Sequence, residues 1–172
     1  MKMAIHQPNF CPWLPYFRKM HLADKFCILS HCQFEKNGFT NRFKWKEKWF
    51  TLPVKKGFED IFYKQYANQY TINDVNIPLI VGFARMFGID TRKIVFDRPT
   101  FSKGTDRLIE ICEDNDCNEY LTNPSDYLEL GKFKEHDIKV VPFEPTNDYK
   151  VGLFDALERW GIEGVRKMIW KP

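Results

Sequence analysis

Residues 2–29 read KMAIHQPNFCPWLPYFRKMHLADKFCIL, and this stretch decides the fold. Its first part, residues 2–5, predicts a short strand. Pro12 favours the start of a helix, because proline suits the first helical position, and three apolar side chains recur behind it at helical spacing. The apolar run 26–29 contains residues with β-propensity and predicts a second, buried strand. Two strands joined by a helix are expected to pair in parallel.

The rest of the chain continues this alternation of strands and helices. Aromatic residues and lysines alternate over 39–54, which predicts an edge hairpin with Phe39, Phe43 and Trp45 on one side. Further strands are predicted at 94–96, 119–121 and 138–141. One helix is predicted to start at Asn73 or Asn76 and to stop at Gly88, and a second is predicted to start at Thr105. Two more helices are predicted, one over 153–160 that stops at Gly161 and a last short one over 165–169. This pattern predicts a single α/β domain, residues 1–172, with a mainly parallel, Rossmann-like sheet covered by helices on both faces.

The composition excludes several classes of protein. With 44% hydrophobic and 28% charged residues in 172, the chain is expected to be globular, and a net charge of +3 is low for a dedicated nucleic-acid binder. The five cysteines form no C-x-x-C pair, so free thiols in a reducing cytoplasm are expected. No apolar signal stretch opens the sequence and no apolar run is long enough to span a membrane, so we expect a cytoplasmic protein.

Polar side chains follow the predicted strands, where ligands bind in open α/β sheets. No P-loop or G-x-G-x-x-G is present, so the sequence identifies no cofactor, and it predicts no metal site. Each polar turn also has a plainer interpretation: a histidine bonded to backbone, turn formers beside a proline, or a helix cap. The residues in question are His6, Gln7 and Asn9 after the first strand, Gln33 and Lys36 after the second, and Lys103 and Arg107 after 94–96.

His6 is the candidate catalytic residue. An unperturbed imidazole titrates near pH ~6.5 and can accept a proton at cellular pH, so His6 could serve as a general base or stabilise developing charge. The competing interpretation is a histidine that only fixes the turn.

One family resemblance covers most of the chain. Residues 5–17, IHQPNFCPWLPYF, resemble the opening I-H-Q-P-N-Y-x-P-W-x-x-Y-F of WbqC-like proteins. The pair Asn41-Arg42 is similar to the family's N-R element, and WFTLPV at 49–54 is similar to its W-L-T-V-P-V strand. The resemblance implies that Trp13, Asn41 and Arg42 belong with the substrate-binding residues. Because the candidate residues follow predicted strands or the attached hairpin, and most lie in the matched motifs, one pocket is expected at the carboxyl end of the sheet, with Lys103 on its rim. The residues expected to face it are His6, Gln7, Asn9, Gln33, Lys36, Asn41 and Arg42.

The resemblance also implies a function. WbqC-like proteins occur in bacterial or phage surface-polysaccharide (O-antigen) clusters. A transferase is implied that moves an amino-acid (glycine-type) or nucleotide-activated group from a small-molecule donor onto a sugar or nucleotide acceptor. The chain departs from the family pattern in two places that bear on this function. Ser30-His31 stands where the family has paired aspartates, and the chain is shorter than expected between 62 and 79.

A non-catalytic binding module for glycan or nucleic acid is the alternative. Lys44, Lys46 and Lys48 alternate with aromatic rings in the predicted hairpin and could bind an anionic, ring-bearing partner. The plainer interpretation is a solvated edge hairpin whose lysines prevent aggregation.

Overall fold

The computed structural model describes residues 1–31, 34, 38–53, 71–123, 128–145 and 151–171. The elements in chain order are β1 (Lys2–His6), α1 (Leu14–Leu22), β2 (Lys25–Ile28), β3 (Arg42–Trp45), β4 (Lys48–Thr51), α2 (Ile72–Met86), a 3-10 turn (Thr91–Lys93), β5 (Ile94–Phe96), α3 (Gly104–Asp114), β6 (Glu119–Thr122), α4 (Leu130–Glu135), β7 (Lys139–Pro142) and α5 (Leu153–Trp170).

Five strands form one sheet in the order β5-β2-β1-β6-β7. Every pairing in it is parallel, with His6 beside Ile28 and Met3 beside Tyr120. Counted by themselves, these strands follow the order 3-2-1-4-5 of a Rossmann-type sheet. The predicted parallel α/β fold is therefore confirmed, including the parallel pairing of the first two strands.

Helices cover both faces of the sheet because buried side chains alternate along each strand. Ala4 and Phe26 point to the face that packs on α1, α2 and α5. Met3 and Cys27 point to the opposite face, which packs on α3 and α4. The two resulting cores confirm that helices lie on both sides.

Strands β3 and β4 form a separate antiparallel hairpin, as predicted. Its inner face packs through Phe43, whose ring lies 5.2 Å from Phe10 and 5.1 Å from Phe154 between centroids. Phe39 was predicted to lie on the same face as Phe43, and this prediction is wrong. The chain bends before β3, so the period of two does not extend back to Phe39, and its ring contacts Trp49 on the outer face.

The predicted starts of α1 and α2 are displaced from the observed ones. Helix α1 begins at Leu14, two residues after Pro12. Helix α2 begins after Thr71, which forms a capping box with Asp74. Both predicted starts, Asn73 and Asn76, lie inside the helix and donate hydrogen bonds to backbone oxygens elsewhere.

The α3 start is displaced for a similar reason. Its N-cap is Lys103, and the Thr105 hydroxyl accepts a hydrogen bond from the Glu129 backbone at 3.1 Å instead of capping the helix. The predicted stops hold, since Gly88 (φ +75°) follows α2 and Gly161 (φ +62°) divides α5. None of the helices in the described ranges is both long and apolar enough to cross a membrane.

Candidate functional site

A cavity of about 500 Å³ opens at the carboxyl edge of the sheet. It lies where β1 and β6 meet, which is the point at which the strand order reverses. Ligands of open α/β sheets bind at such switch points. The walls are formed by Ile5, His6, Gln7, Asn9, Trp13, Pro15, Tyr16, Lys19, Leu29, Phe39, Leu108, Tyr120, Thr122, Asn123, Phe143 and Pro145.

His6 enters the cavity from the last position of β1. It shares the strand face of Ala4, which packs on α1, so its ring lies 4.8 Å from Tyr16 and 6.3 Å from Phe26 between centroids. Burial, aided by the nearby charge of Lys19, lowers the pKa of His6 from 6.5 to about 3. The expectation that His6 titrates near neutral pH is therefore wrong, because the protein leaves the ring neutral at cellular pH.

Lys19 supplies the charge at this site. Its Nζ lies 3.4 Å from His6 Nε2 and 5.2 Å from the centroid of the Phe143 ring. An ammonium group can only donate, so Nε2 accepts and the proton of the neutral imidazole sits on Nδ1.

Lys19 is also almost fully buried, with 6% of its surface exposed. Burial lowers the pKa of its amine from 10.5 to about 8. Across the described ranges, no carboxylate forms an ion pair with it. The cavity therefore contains a desolvated cation whose partners within the described chain are a neutral imidazole and an aromatic ring.

Sequence reasoning missed Lys19. It lies one turn after Tyr16 on a helix in which residues 14–17 and 20 are all buried, so a lysine on the buried surface of α1 was the available signal. A lysine on a helix usually reaches solvent, so the residue type by itself does not predict burial at this position.

Three other predicted residues join His6 in the cavity walls: Gln7, Asn9 and Trp13. The backbone of Gln7 accepts hydrogen bonds from the Asn9 amide at 2.9 Å and from the Tyr16 hydroxyl at 3.3 Å. These bonds hold the turn after β1 against the start of α1. The amide side chains of Gln7 and Asn9 add donors and acceptors to the wall, and Trp13 adds an exposed ring.

Asn41 and Arg42 are placed by the hairpin instead. Asn41 is buried and donates to the backbone oxygen of Leu52 at 3.1 Å, so it fixes the two ends of the hairpin together. Arg42 lies over Trp49, with 4.2 Å between Cζ and the ring centroid. Neither side chain is among those that line the cavity, and backbone and ring contacts orient both of them along the hairpin.

Arg107 also lies outside the cavity walls. Its guanidinium pairs with the buried carboxylate of Asp97, just after β5, and donates to the His31 backbone at 3.1 Å. Asp97 accepts in addition from the Ser30 backbone amide at 2.6 Å. The Ser30-His31 pair is thus part of a polar cluster that fixes the ends of β2 and β5.

Lys103, expected on the rim, is an exposed residue at the start of α3. Gln33 and Lys36 lie outside the described residues, as do residues 62–70 of the segment expected to be short between 62 and 79. In the part of the chain that the structure describes, no cluster of three histidine, cysteine or acidic side chains could bind a metal ion.

The sheet order and the cavity at its switch point define an α/β protein of the Rossmann-like type. The chain belongs to the WbqC-like protein family, whose model matches residues 7–62 and 56–155. It is similar to a protein of Mycobacterium tuberculosis (strain ATCC 25618 / H37Rv) described as Uncharacterized protein Rv1507c, with 27% identity over 206 aligned residues, 93% of this chain and 87% of the relative. No solved structure matches the chain significantly.

Proposed function

We propose that this protein is a group transferase that binds the anionic part of an activated small-molecule donor against Lys19. The group transferred is an amino-acid or nucleotide-activated one, and the acceptor is a sugar or nucleotide, which suits the biosynthetic role that the family resemblance implies. The observation that carries the proposal is the buried ammonium of Lys19 in an open cavity, without a carboxylate among the described residues.

An anionic ligand would complete this site electrostatically. A buried charge is costly unless an opposite charge compensates for it, and the lowered pKa of Lys19 reflects that cost. A phosphate or carboxylate at Lys19 removes the penalty. It also raises the pKa of the amine, because a nearby anion favours the protonated form.

The same amine can take part in proton transfer. Without a ligand, the pKa of Lys19 is about 8, close to cellular pH. A bound anion raises this pKa, so the amine stays protonated until negative charge develops on the leaving group, to which it can then give its proton. Lys19 would bind the donor's anion and give a proton to the leaving group. His6, neutral and 3.4 Å away, would act as the positioning residue that accepts a hydrogen bond from Lys19. Gln7 and Asn9 would orient the donor from the cavity wall.

A thermal-shift screen tests the binding step. Nucleotides, nucleotide-sugars and amino acids are each added to the wild-type protein, to Lys19→Met, and to Lys167→Met, which removes an equal charge from an exposed position on α5. A ligand at a hundred times its Kd stabilises the native state by about 2.7 kcal/mol. We expect an anionic compound to raise the melting temperature of wild type and Lys167→Met but not of Lys19→Met.

Turnover then separates the enzyme from the alternative, a non-catalytic binding module. The stabilising compound is incubated with candidate acceptors and its consumption is followed by mass spectrometry. Consumption that depends on Lys19 supports the transferase. Equal stabilisation of wild type and Lys19→Met would remove the basis for the proposed donor site.

A further inference from the structure

The outer face of the hairpin presents a surface formed by Phe39, Arg42 and Trp49, which we name the stacking surface. The Phe39 and Trp49 rings are 6.1 Å apart between centroids, and Arg42 covers Trp49 at 4.2 Å. Phe39 is 60% exposed and Trp49 is 47% exposed. Exposed aromatic side chains grouped in this way are characteristic of binding sites.

The stacking surface is distinct from the hydrophobic packing of the hairpin. On the outer face, Trp49 lies opposite Lys44 of the neighbouring strand. On the inner face, Phe43 lies opposite Phe50 and packs on Phe154. The core therefore has no need of the Trp49 ring, and its exposure calls for another partner.

Charge distinguishes Arg42 from its neighbours. Lys44 is paired with Glu47, and Lys46 lies 2.7 Å from Glu158, so two of the three hairpin lysines already have a carboxylate partner. Arg42 has no hydrogen bond or ion pair within the described ranges, and its Nε is buried without a partner. The stacking surface thus offers an uncompensated guanidinium beside two exposed rings.

We propose that the stacking surface binds an anionic sugar, a pyranose carrying a carboxylate or a phosphate, as the acceptor of the transfer. The apolar face of the ring would lie on Trp49 and Phe39, and the anion would accept from Arg42. A nucleic acid fits less well, because a polyanion is bound by many unpaired cations and the nearby lysines are already paired. The acceptor role rests on the proposed function, while sugar binding can be tested independently of it.

Phe39 connects the two sites, because it also lines the cavity that contains Lys19. A sugar on the stacking surface would therefore present its hydroxyl groups towards the donor. In the transfer, the acceptor oxygen bonds to the transferred group, and the leaving group departs with the bonding electron pair. Lys19 gives its proton to the leaving group, and it is reprotonated by the proton that the acceptor hydroxyl loses.

Isothermal titration calorimetry with glucuronate and glucose 1-phosphate tests the site, with glucose as the uncharged comparison and a single-stranded oligonucleotide as the polyanion. The variants are Arg42→Gln and Trp49→Leu, with Trp49→Tyr to restore a ring. Arg159→Gln is the matched control, since Arg159 also lies over a tryptophan, Trp160, at 4.9 Å. Circular dichroism verifies the fold of each variant.

We expect both anionic sugars to bind wild type, Arg159→Gln, Trp49→Tyr and Lys19→Met, and to bind Arg42→Gln and Trp49→Leu roughly tenfold more weakly. Loss of sugar binding in Lys19→Met but not in Arg42→Gln would place the sugar in the cavity and overturn this inference, leaving the proposed donor site intact. Tighter binding of the oligonucleotide, or no binding of either sugar to wild type, would also overturn it.

Discussion

Lys19 places a positive charge where solvent cannot stabilise it. The pKa of its amine falls from 10.5 to about 8, so between these values the unfolded chain retains a proton that the native protein has released. Stability therefore rises with pH through this window, and below pH 8 the buried charge opposes folding. Functional sites commonly reduce stability in this way.

Replacing Lys19 by Met tests that cost, because methionine keeps most of the apolar chain and removes the charge. We expect the free energy of unfolding at pH 7 to increase by roughly 1–3 kcal/mol. The rise in wild-type stability between pH 8 and 10.5 should be absent from the variant. Urea unfolding at pH 7 and pH 10 measures both, and a variant less stable than wild type at pH 7 would show that the amine stabilises the fold.

His6 produces a pH dependence in the acid range. Its pKa in the native protein is lowered to about 3, against 6.5 as the ordinary value. As the pH falls from 6.5 towards 3, the unfolded chain binds a proton that the native ring does not, so stability is lost. His6→Asn removes this contribution.

We therefore expect wild type to lose more stability than His6→Asn between pH 7 and pH 4.5. The urea midpoints of both proteins at the two pH values give the loss of stability of each. Subtracting one loss from the other removes the contribution of all groups that the two proteins share. Parallel pH profiles would mean that His6 titrates equally in the native and unfolded states.

The contrast between these two residues shows what local sequence can predict about the site. His6 was predictable because it is polar and directly follows an apolar strand, and strand ends meet at one edge of a parallel sheet. Lys19 lies on the buried surface of α1, but local sequence does not predict where its amine ends: the amine lies 5.2 Å from the ring of Phe143, which is more than a hundred residues away, just after β7.

At the scale of elements, one buried amide connects three parts of the fold. Asn76, inside α2, donates to the backbone oxygens of Pro8 at 2.6 Å and Thr40 at 2.7 Å. It therefore joins the turn after β1 to the entry of the hairpin. Without Asn76, both buried carbonyls lose this donor.

Asn76→Ala should reduce the free energy of unfolding by about 1–3 kcal/mol, since a buried polar group that loses its partner bears its full desolvation cost. Asn73→Ala is the comparison, because it removes a single, partly buried bond to the Ser30 backbone. Thermal or urea unfolding of the two variants gives the ranking. A larger loss in Asn73→Ala would mean that Asn76 does not hold these elements together.

The elements themselves were predicted unevenly. Short apolar runs located the strands, and glycines located the end of α2 and the kink inside α5. The starts of α2 and α3 were wrong because Asn76 and Thr105 are good capping residues that use their polar atoms in tertiary bonds. Helix α4 was missed, since six residues containing Gly131 show too little periodicity to signal a helix.

For the whole molecule, the order of the strands creates the site. Residues 2–3 pair with 119–120, so β1 and β6 become neighbours and leave a gap beyond their carboxyl ends. Local patterns predict strands but not their order, which depends on how the intervening helices cross the sheet. The sequence predicted that a site lies at the carboxyl ends of the strands. It did not predict that Arg42 lies on the stacking surface and not in the wall of the cavity.

The central claim is that the cavity contains a buried amine poised to bind an anion, and titration of the lysine side chains by carbon-13 NMR tests it most directly. We expect one lysine resonance to titrate near pH 8, to be absent from Lys19→Met, and to move to higher pH when inorganic phosphate saturates the site. A protein in which the Lys19 resonance titrates near 10.5 and is unchanged by phosphate would contradict the claim.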